Sequence, residues 1–533
     1  MSWQSPATDV LFCLAPILAL VAASIFTRWD TATMLPLTAL GMFLVRLMYL
    51  GSDPLETSAA IVSGLHEALV PLSIIFGAVL LFKTMTQTGC METMIQMMVR
   101  VTGGNRVAQL MLLGYSFMTL LEGCSGFGTP LVAIAPVLVA IGHDKIAAIT
   151  FLLITNSLVT SFGAAGTPMW YGLGTIDLED SDLVEVGFLT SIGLGALSAV
   201  FLPVACAMCT STQEVRDAWL FIVLSTLSGT LPLMVTAYFS YTFPAIIAGL
   251  VGCVSTFALI KFNVGIKTTH ADDLVTSLTE SFKAASPIIG TVVLLLLTRI
   301  PQIGIKDLLT RTEPSFMVDL GTYGDASFSA SLVFQLRSIL TSADVNFKFQ
   351  LLYVPFIIPF VLVSILTLIA FSFLQKFPSI CGATLHQIKH PAQTLFGALV
   401  LVELMVVGGD LSPAAVIGDT LSTAVDKVWV LLAPMLGSLG SFVAGSLTVS
   451  NLTFGAIQSA AAINVGLNEN SILALQCCGA SIGTSICIFH IVACGASLGE
   501  AVSVGPLMKR LGPMVVLGDL LVIGVVMAVA QLL

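Results

Sequence analysis

The sequence predicts an all-α polytopic membrane protein with about 12 to 14 transmembrane segments. Of its 533 residues, 56% are apolar and 9% are charged, whereas an ordinary soluble domain has roughly 25% charged residues. The charges lie mainly between apolar runs, and most runs are long enough to cross about 30 Å of hydrocarbon as helices. We therefore exclude a soluble enzyme and expect no catalysis.

The apolar runs fall into two halves of the chain. The N-terminal half, residues 1–260, contains runs near Thr8–Thr27, Thr33–Leu50, Ile61–Phe82, Val107–Leu121, Ile146–Phe162, Val186–Met208, Ala218–Phe239 and Phe243–Ile260. The C-terminal half, residues 285–533, contains runs near Ala285–Leu297, Leu351–Leu374, Thr394–Val407, Val428–Phe442, Ile472–Ala496 and Pro513–Leu532. We expect residues 261–284 to form a cytoplasmic linker and residues 301–349 to form an ordered extracellular or lumenal loop.

Segments of the first half recur in the second half. Ser73–Thr93 and Thr394–Asp419 share an FGA sequence, continue as a span and end in a polar segment that contains Gly. Such echoes predict two copies of one unit, at about residues 60–170 and 386–490. Internal repeats of this kind are a common plan of secondary transporters.

The distribution of basic residues predicts the topology. Lys and Arg prefer cytoplasmic loops, and most of them lie inside if both termini are outside. This arrangement requires one re-entrant segment in each copy, with turns near Gly163–Pro168 and Gly479–Gly483. The two copies are then inverted relative to each other.

The segment Leu121–Pro130, which reads LEGCSGFGTP, interrupts an apolar run with polar residues and glycines. Glycines permit unwound backbone, and Pro130 suits the first turn of a new helix. We therefore expect a half-helix over Leu131–Ile141 whose N-terminal N–H groups face an anion. The predicted substrate-binding residues in this segment are Ser125, Gly126, Gly128 and Thr129.

Glu122 precedes that predicted break. Irregular backbone at membrane depth lines a cavity or is buried in protein, and a carboxyl group there can take up and release a proton. Glu122 is therefore the predicted proton-coupling residue. The structural alternative is a protonated Glu that is hydrogen-bonded between helices.

A second polar cluster, Gly445–Gln458, reads GSLTVSNLTFGAIQ. Its neutral side chains can donate hydrogen bonds to a carboxylate and to a neighbouring hydroxyl. The predicted ligands are Ser450, Asn451 and Gln458. The alternative is that they pin helices together, at about 1 kcal/mol or less per bond.

Other functional classes find little support in the sequence. The net charge of −10 and the lack of a basic tract argue against nucleic acid as a partner. No P-loop is present, so ATP-driven transport by this chain is not expected. The 11 cysteines lie almost entirely in apolar runs, where we expect free packing thiols. We predict no metal and no cofactor.

At these residues the chain resembles the lactate permease family. The resemblance covers about residues 10–530 and is strongest at LEGCSGFGTPLVAIAP, TNSLVTSFGAAGTP, LLYVPFIIPFVLVSILT and SNLTFGAIQ. It implies proton-coupled symport of short 2-hydroxy monocarboxylates, such as L-lactate or glycolate, through two inverted repeats with broken helices. The positions matching the family's polar motifs are Glu122, Ser125, Gly126, Gly128, Ser450, Asn451 and Gln458.

Two departures from the family pattern remove one negative and one positive charge. Leu447 stands where the family usually has an acid, in GSDT, and Thr484 stands where it usually has Lys, in GKMISPQS. Removing both partners of a buried ion pair can be nearly neutral, so we expect the fold to survive. His490, six residues after Thr484, is then a second predicted proton-coupling group, or alternatively packs against backbone carbonyls.

The sequence thus predicts a secondary active transporter of the plasma membrane, with a small organic anion, protons and the lipid bilayer as partners. An uncoupled anion channel and a non-transporting membrane sensor on the same fold remain as alternatives. A homo-oligomer is compatible with the sequence, which does not fix the oligomeric state.

Overall fold

The helices of the computed structural model confirm the all-α polytopic membrane fold. The structure describes residues 6–26, 31–126, 128–174, 176–268, 278–299, 303–343, 345–498, 502 and 504–532. Within these residues, 10 helices are long and apolar enough to cross a membrane, or 11 if the bent pair Lys145–Ser157 and Thr160–Trp170 forms one span. The predicted 12 to 14 spans are reached only with shorter apolar helices such as Thr129–Ala140.

Helices account for most of the first half of the chain. They are α1 Pro6–Phe26, α2 Thr31–Leu44, α3 Pro54–Glu67, α4 Leu69–Gln87, α5 Cys90–Val101, α6 Arg106–Gln109, α7 Met118–Ser125, α8 Thr129–Ala140, α9 Lys145–Ser157, α10 Gly163–Trp170, α11 Asp180–Cys209, α12 Thr212–Asp217, α13 Trp219–Phe239 and α14 Pro244–Lys261. A π-helical segment, Leu110–Phe117, joins α6 to α7.

The second half contains ten further helices and a small sheet. The helices are α15 Leu278–Arg299, α16 Ile305–Thr310, α17 Leu362–Ala370, α18 Phe377–Val406, α19 Pro413–Val425, α20 Trp429–Ala444, α21 Leu447–Val465, α22 Glu469–Gly483, α23 Ile488–Ser497 and α24 Val504–Ala530. The strands are β1 Ser315–Asp319, β2 Asp325–Ser329, β3 Val333–Arg337 and β4 Phe347–Gln350.

The chain forms two compact units, of which the first comprises residues 1–88, 287–426 and 459–465. Its long helix α18 packs against α2, α3 and α4. Close approach depends on glycine: a Cβ on Gly64 of α3 would lie 2.6 Å from Cα of Val400 on α18. The buried guanidinium of Arg46 caps the C-terminus of α18 by donating hydrogen bonds to the carbonyl oxygens of Leu404 and Val407.

The same unit contains the predicted loop 301–349, whose residues 301, 302 and 344 lie outside the described residues. The four strands form one antiparallel sheet in the order β1-β2-β3-β4. The sequence predicted an ordered connection here but not its strands. In the predicted linker 261–284, residues 269–277 lie outside the described residues.

The second unit comprises residues 89–286, 427–458 and 466–533. Its long helix α11 packs against α9, α13, α22 and α24, and α22 packs closely along α20. Every described residue of α22 from Ser471 to Gly483 is buried. A helix that is apolar all round and buried belongs to the core, and α22 carries one polar amide there, that of Gln476.

Candidate functional site

The helix containing Glu122 breaks where glycines permit it. α7 ends at Ser125, and Gly126 and Gly128 follow with φ of +62° and +69°, values that non-glycine residues rarely adopt. α8 then begins at Thr129 with Pro130 in its first turn. Its N-terminus carries the positive end of the helix dipole. Phe127 of this motif lies outside the described residues.

A second irregular segment faces the first one. Ala164, Ala165 and Gly166 all have positive φ, of 45°, 54° and 72°. A Cβ placed on Gly126 would lie 2.8 Å from Cβ of Ala164. The helix break after α7 and the irregular start of α10 are therefore in direct contact.

Glu122 lies between these two segments. It is fully buried, and neither carboxyl oxygen has a hydrogen-bond partner among the described residues. A Cβ placed on Gly163 would lie 2.7 Å from its Oε1. The interhelical hydrogen bond of the structural alternative is therefore not seen within the described chain, although an unpartnered buried carboxyl group is costly.

His490 contacts the same break from α23. A Cβ on Gly128 would lie 2.8 Å from the ring atoms Cδ2 and Nε2 of His490. Its Nδ1 lies 3.3 Å from the carbonyl oxygen of Thr484. A carbonyl oxygen only accepts, so Nδ1 carries the proton in this contact and Nε2 of the neutral ring is an acceptor. The backbone contact of the structural alternative thus coexists with a ring nitrogen that faces the break.

The remaining predicted residues of the first cluster are satisfied locally or half-buried. Ser125 donates from Oγ to the carbonyl oxygen of Leu121 at 2.7 Å. The backbone N–H of Thr129 donates to the carbonyl oxygen of Gly126 at 3.1 Å. Among the buried side chains of this cluster that the structure describes, the unsatisfied polar group is therefore the Glu122 carboxyl.

The second predicted cluster is joined by a residue that the sequence interpretation missed. Gln476 of α22 accepts a hydrogen bond from Nε2 of Gln458 at 2.9 Å. Its own Nε2 donates to Oγ of Ser450 at 3.2 Å and to Oδ1 of Asn451 at 3.4 Å. The available signal was a single amide in the apolar run ILALQCC.

Further hydrogen bonds fix the edges of this cluster. Trp429 donates from Nε1 to Oε1 of Gln458 at 2.7 Å, and Ser450 donates to the carbonyl oxygen of Gly437 at 2.9 Å. Asn451 donates from Nδ2 to the carbonyl oxygen of Pro168 at 3.0 Å. Because Pro168 belongs to α10, whose first residue is Gly163 beside Glu122, residues 163–168 connect the two predicted clusters.

Leu447 and Thr484, the two residues that depart from the family pattern, are both uncharged and buried. Leu447 begins α21 and is 1% exposed. Thr484 is equally buried and donates from Oγ1 to the carbonyl oxygen of Ser481 at 2.6 Å. Each position is thus satisfied without an ion-pair partner. In the described part of the chain, no group of acidic, His or Cys side chains could hold a metal ion.

Comparisons with known proteins agree in one family. The chain matches the L-lactate permease family over residues 9–533. A relative from Haemophilus influenzae is 34% identical over 498 residues, covering 92% of each chain. The L-lactate permease of Bacillus subtilis is 25% identical, covering 91% of each chain, and that of Escherichia coli K12 is 24% identical, covering 83% of this chain and 81% of its own.

Among solved structures, the efflux pump MtrF of Neisseria gonorrhoeae aligns with 98% of this chain and 94% of its own, at 11% identity and a TM-score of 0.33. The family match spans nearly the whole chain and includes both polar clusters. The chain belongs to the L-lactate permease family.

Proposed function

We propose that this chain is a secondary active transporter that carries L-lactate, or a similar short 2-hydroxy monocarboxylate such as glycolate, across the cell membrane together with protons. The relatives named L-lactate permease support lactate as the cargo. Proton coupling is inferred from Glu122. Its carboxyl group is fully buried between two irregular segments and has no hydrogen-bond partner among the described residues.

The first cluster suits a carboxylate substrate. The N-terminus of α8 offers a partial positive charge, and Gly126 and Gly128 permit the unwound backbone that precedes it. Protonation of Glu122 removes a negative charge beside this end of the helix. An anion therefore binds more readily when Glu122 carries its proton, and this dependence links the two cargoes.

The second cluster suits the hydroxyl group of the substrate. Ser450, Asn451 and Gln458 present neutral donors and acceptors, oriented by Gln476. A site built to hydrogen-bond a hydroxyl group discriminates strongly against an analogue that lacks one. We therefore expect preference for 2-hydroxy acids over the corresponding acids without the hydroxyl.

Two reciprocal hydrogen bonds support the two-copy plan. Ser161 donates from Oγ to the carbonyl oxygen of Cys477 at 3.1 Å, and Ser481 donates from Oγ to that of Ser157 at 2.7 Å. Equivalent residues of the two bonds, Ser161 with Ser481 and Ser157 with Cys477, are each 320 positions apart in the sequence (481 − 161 and 477 − 157). A two-fold axis that relates the two copies would map one of these hydrogen bonds onto the other.

The order of elements also recurs. A span, a short helix, a helix that ends at a glycine with positive φ, and a new helix occur as α4, α5, the continuous segment from α6 through Leu110–Phe117 to α7, and α8. The same order recurs as α18, α19, α20 and α21. We infer inverted repeats with one re-entrant segment each, both termini outside, and alternating access between the copies. A homo-oligomer is compatible with this scheme.

One observation favours the non-transporting sensor as a second candidate. The side chains of the second cluster are hydrogen-bonded to one another and to the backbone, and Leu447 and Thr484 lack the family's charges. A sensor would bind lactate without moving it.

Uptake of radiolabelled L-lactate into proteoliposomes separates the candidates. Accumulation above the external concentration that requires an inward proton gradient supports symport. Equilibration that stops at equal concentrations and ignores the gradient indicates a channel. Saturable binding without uptake by a folded protein indicates the sensor, and the absence of both contradicts lactate as the ligand.

A further inference from the structure

A second buried carboxyl group lies in the last helix. Asp519 of α24 is 5% exposed, and its two oxygens lie 2.9 Å and 3.1 Å from Oγ of Ser438 on α20. Among the described residues, that hydroxyl is its hydrogen-bond partner and no other is found. The same Oγ lies 2.8 Å from the carbonyl oxygen of Gly479 on α22. One serine hydroxyl therefore joins three helices.

Ser438 has a single proton for these contacts. The carbonyl oxygen of Gly479 only accepts, so its contact is a hydrogen bond only when Ser438 donates to it. Asp519 can then bond to Ser438 only as the protonated acid, which donates. When Asp519 is ionised, the Ser438 hydroxyl can donate to the carboxylate, and the carbonyl of Gly479 then loses its hydrogen bond. If the hydroxyl instead donates to Gly479, the carboxylate has no donor. The protonation state of Asp519 thus decides which bonds exist.

Among the residues that the structure describes, no cation compensates the charge of an ionised Asp519. α24 packs against α9, α11, α20, α22 and α23. Within the described parts of these helices, the thiol of Cys478 on α22 is the titratable group that faces Asp519. No Lys, Arg or His, including His490 of α23, acts on the carboxyl group. An ionised carboxylate without a cation is strongly unfavourable in such a place, so proton release must be accompanied by movement or by entry of water.

Helices α20 and α22 cross closely at Ser438, next to the hydrogen-bonded network around Gln476. A Cβ on Gly479 would collide with the carbonyl oxygen of Pro434 on α20. Gly479 follows Gln476 by three residues on α22, so the two lie within one turn. A change in the Ser438–Gly479 bond therefore acts on the helix that presents Gln476 to Ser450 and Asn451.

We infer that Asp519 is a second proton-binding residue of the transport cycle, which fastens α24 through Ser438 to the crossing of α20 and α22 when it is protonated and releases this crossing when it is not. Asp519 acts by positioning α22, whereas Glu122 lies at the break itself. This inference rests on the proposed proton-coupled transport.

Asp519→Asn tests the inference, because the amide keeps a donor for Ser438 but has no proton to lose. We expect the variant still to exchange lactate at equal pH, at a rate that no longer depends on pH, while gradient-driven accumulation falls by about tenfold or more. Wild-type accumulation with a wild-type pH profile in the variant would overturn the inference. Absence of gradient-driven uptake in the wild type would instead contradict the proposed function itself.

A second measurement does not depend on transport. Infrared difference spectra between wild type and Asp519→Asn isolate the C=O stretch of the protonated carboxyl group. We expect this band to be present at about pH 5 and to be lost reversibly as the pH is raised to about 9. A band that is constant over this range, or missing throughout, would mean that Asp519 does not exchange a proton and would overturn the inference. If Asp519→Asn does not fold, Asp519→Glu serves as the reference, because it shifts the band without removing it.

Discussion

Asn451 donates a hydrogen bond from Nδ2 to the carbonyl oxygen of Pro168, at 3.0 Å and across 283 residues of sequence. Both groups are buried, and Pro168 lies five residues after Gly163, which contacts Glu122. This bond connects the neutral polar network around Gln476 to the irregular segment beside the buried carboxyl group. If the substrate hydroxyl group binds at the second cluster as proposed, its binding is expected to affect the first cluster through this bond.

Asn451→Ala removes this connection. We expect a loss of about 1 kcal/mol in stability, together with a several-fold rise in the KM for lactate, because the carbonyl of Pro168 loses its donor and Gln476 loses an acceptor. Thr453→Ala is the matched control, since Thr453 lies on the same helix and donates only to Val449 within it. Equal KM values for the two variants would show that Asn451 has no role beyond packing.

Gly128→Ala is predicted to stop transport. Its φ of +69° strains an L-residue, and the added methyl group would lie 2.8 Å from the ring of His490. Gly104→Ala is the matched control, because Gly104 has a similar φ of +79° and open space around it. Both should lose about 1 to 2 kcal/mol in stability from backbone strain. Gly128→Ala should lose more because of the contact with His490, and only Gly128→Ala should abolish lactate uptake by folded protein.

The double variant Gly128→Ala/His490→Ala separates crowding from strain. Removing the imidazole ring frees the space that the new methyl group needs, so we expect the double variant to lose less stability than the sum of the losses in the two single variants. Strictly additive losses in the thermal unfolding of the single and double variants would contradict the contact between Gly128 and His490.

The stability of the folded protein is expected to depend on pH because of His143, which lies in the turn between α8 and α9. Burial, followed by the charge of Arg106, lowers the pKa of His143 from 6.5 to about 4. Its Nε2 lies 3.0 Å from Oε1 of Gln109. Because the unfolded chain binds the proton more tightly, the stabilisation is complete above about pH 6.5 and is lost as the pH falls towards about 4.

Thermal unfolding of the detergent-solubilised protein over this pH range measures the effect. His143→Asn should unfold with a weaker dependence on pH than the wild type, and His386→Asn, at an exposed position of α18, should retain the wild-type dependence. Parallel pH curves for wild type and His143→Asn would assign the acid sensitivity to other groups.

The break after α7 could be predicted from sequence because its causes are local. Gly126, Gly128 and Pro130 favour an interrupted helix whatever packs around them. The long apolar runs likewise predict spanning helices from composition alone. The predicted turn near Gly163–Pro168 coincides with positive φ at Ala164, Ala165 and Gly166, and its re-entrant character stays a prediction.

Other features depend on contacts between residues distant in sequence. Gln476 became part of the site because α22 crosses α20 and α21, and no local pattern distinguishes it from an amide that pins two helices. The four short strands between Ser315 and Gln350 were not predicted, although VFQLR and FKFQ alternate as strands do, because each strand is only four or five residues long. Pairing across the sheet determines their structure.

The uptake of protons with lactate by Glu122→Gln tests whether Glu122 carries the coupled proton. A pH-sensitive dye and radiolabelled L-lactate, followed in the same proteoliposomes, give the number of protons per lactate. We expect the wild type to move both, Glu122→Asp to retain coupled uptake at a reduced rate, and Glu122→Gln to exchange lactate without accumulating it against its gradient. Proton-driven accumulation by Glu122→Gln at the wild-type ratio of protons to lactate would contradict the account.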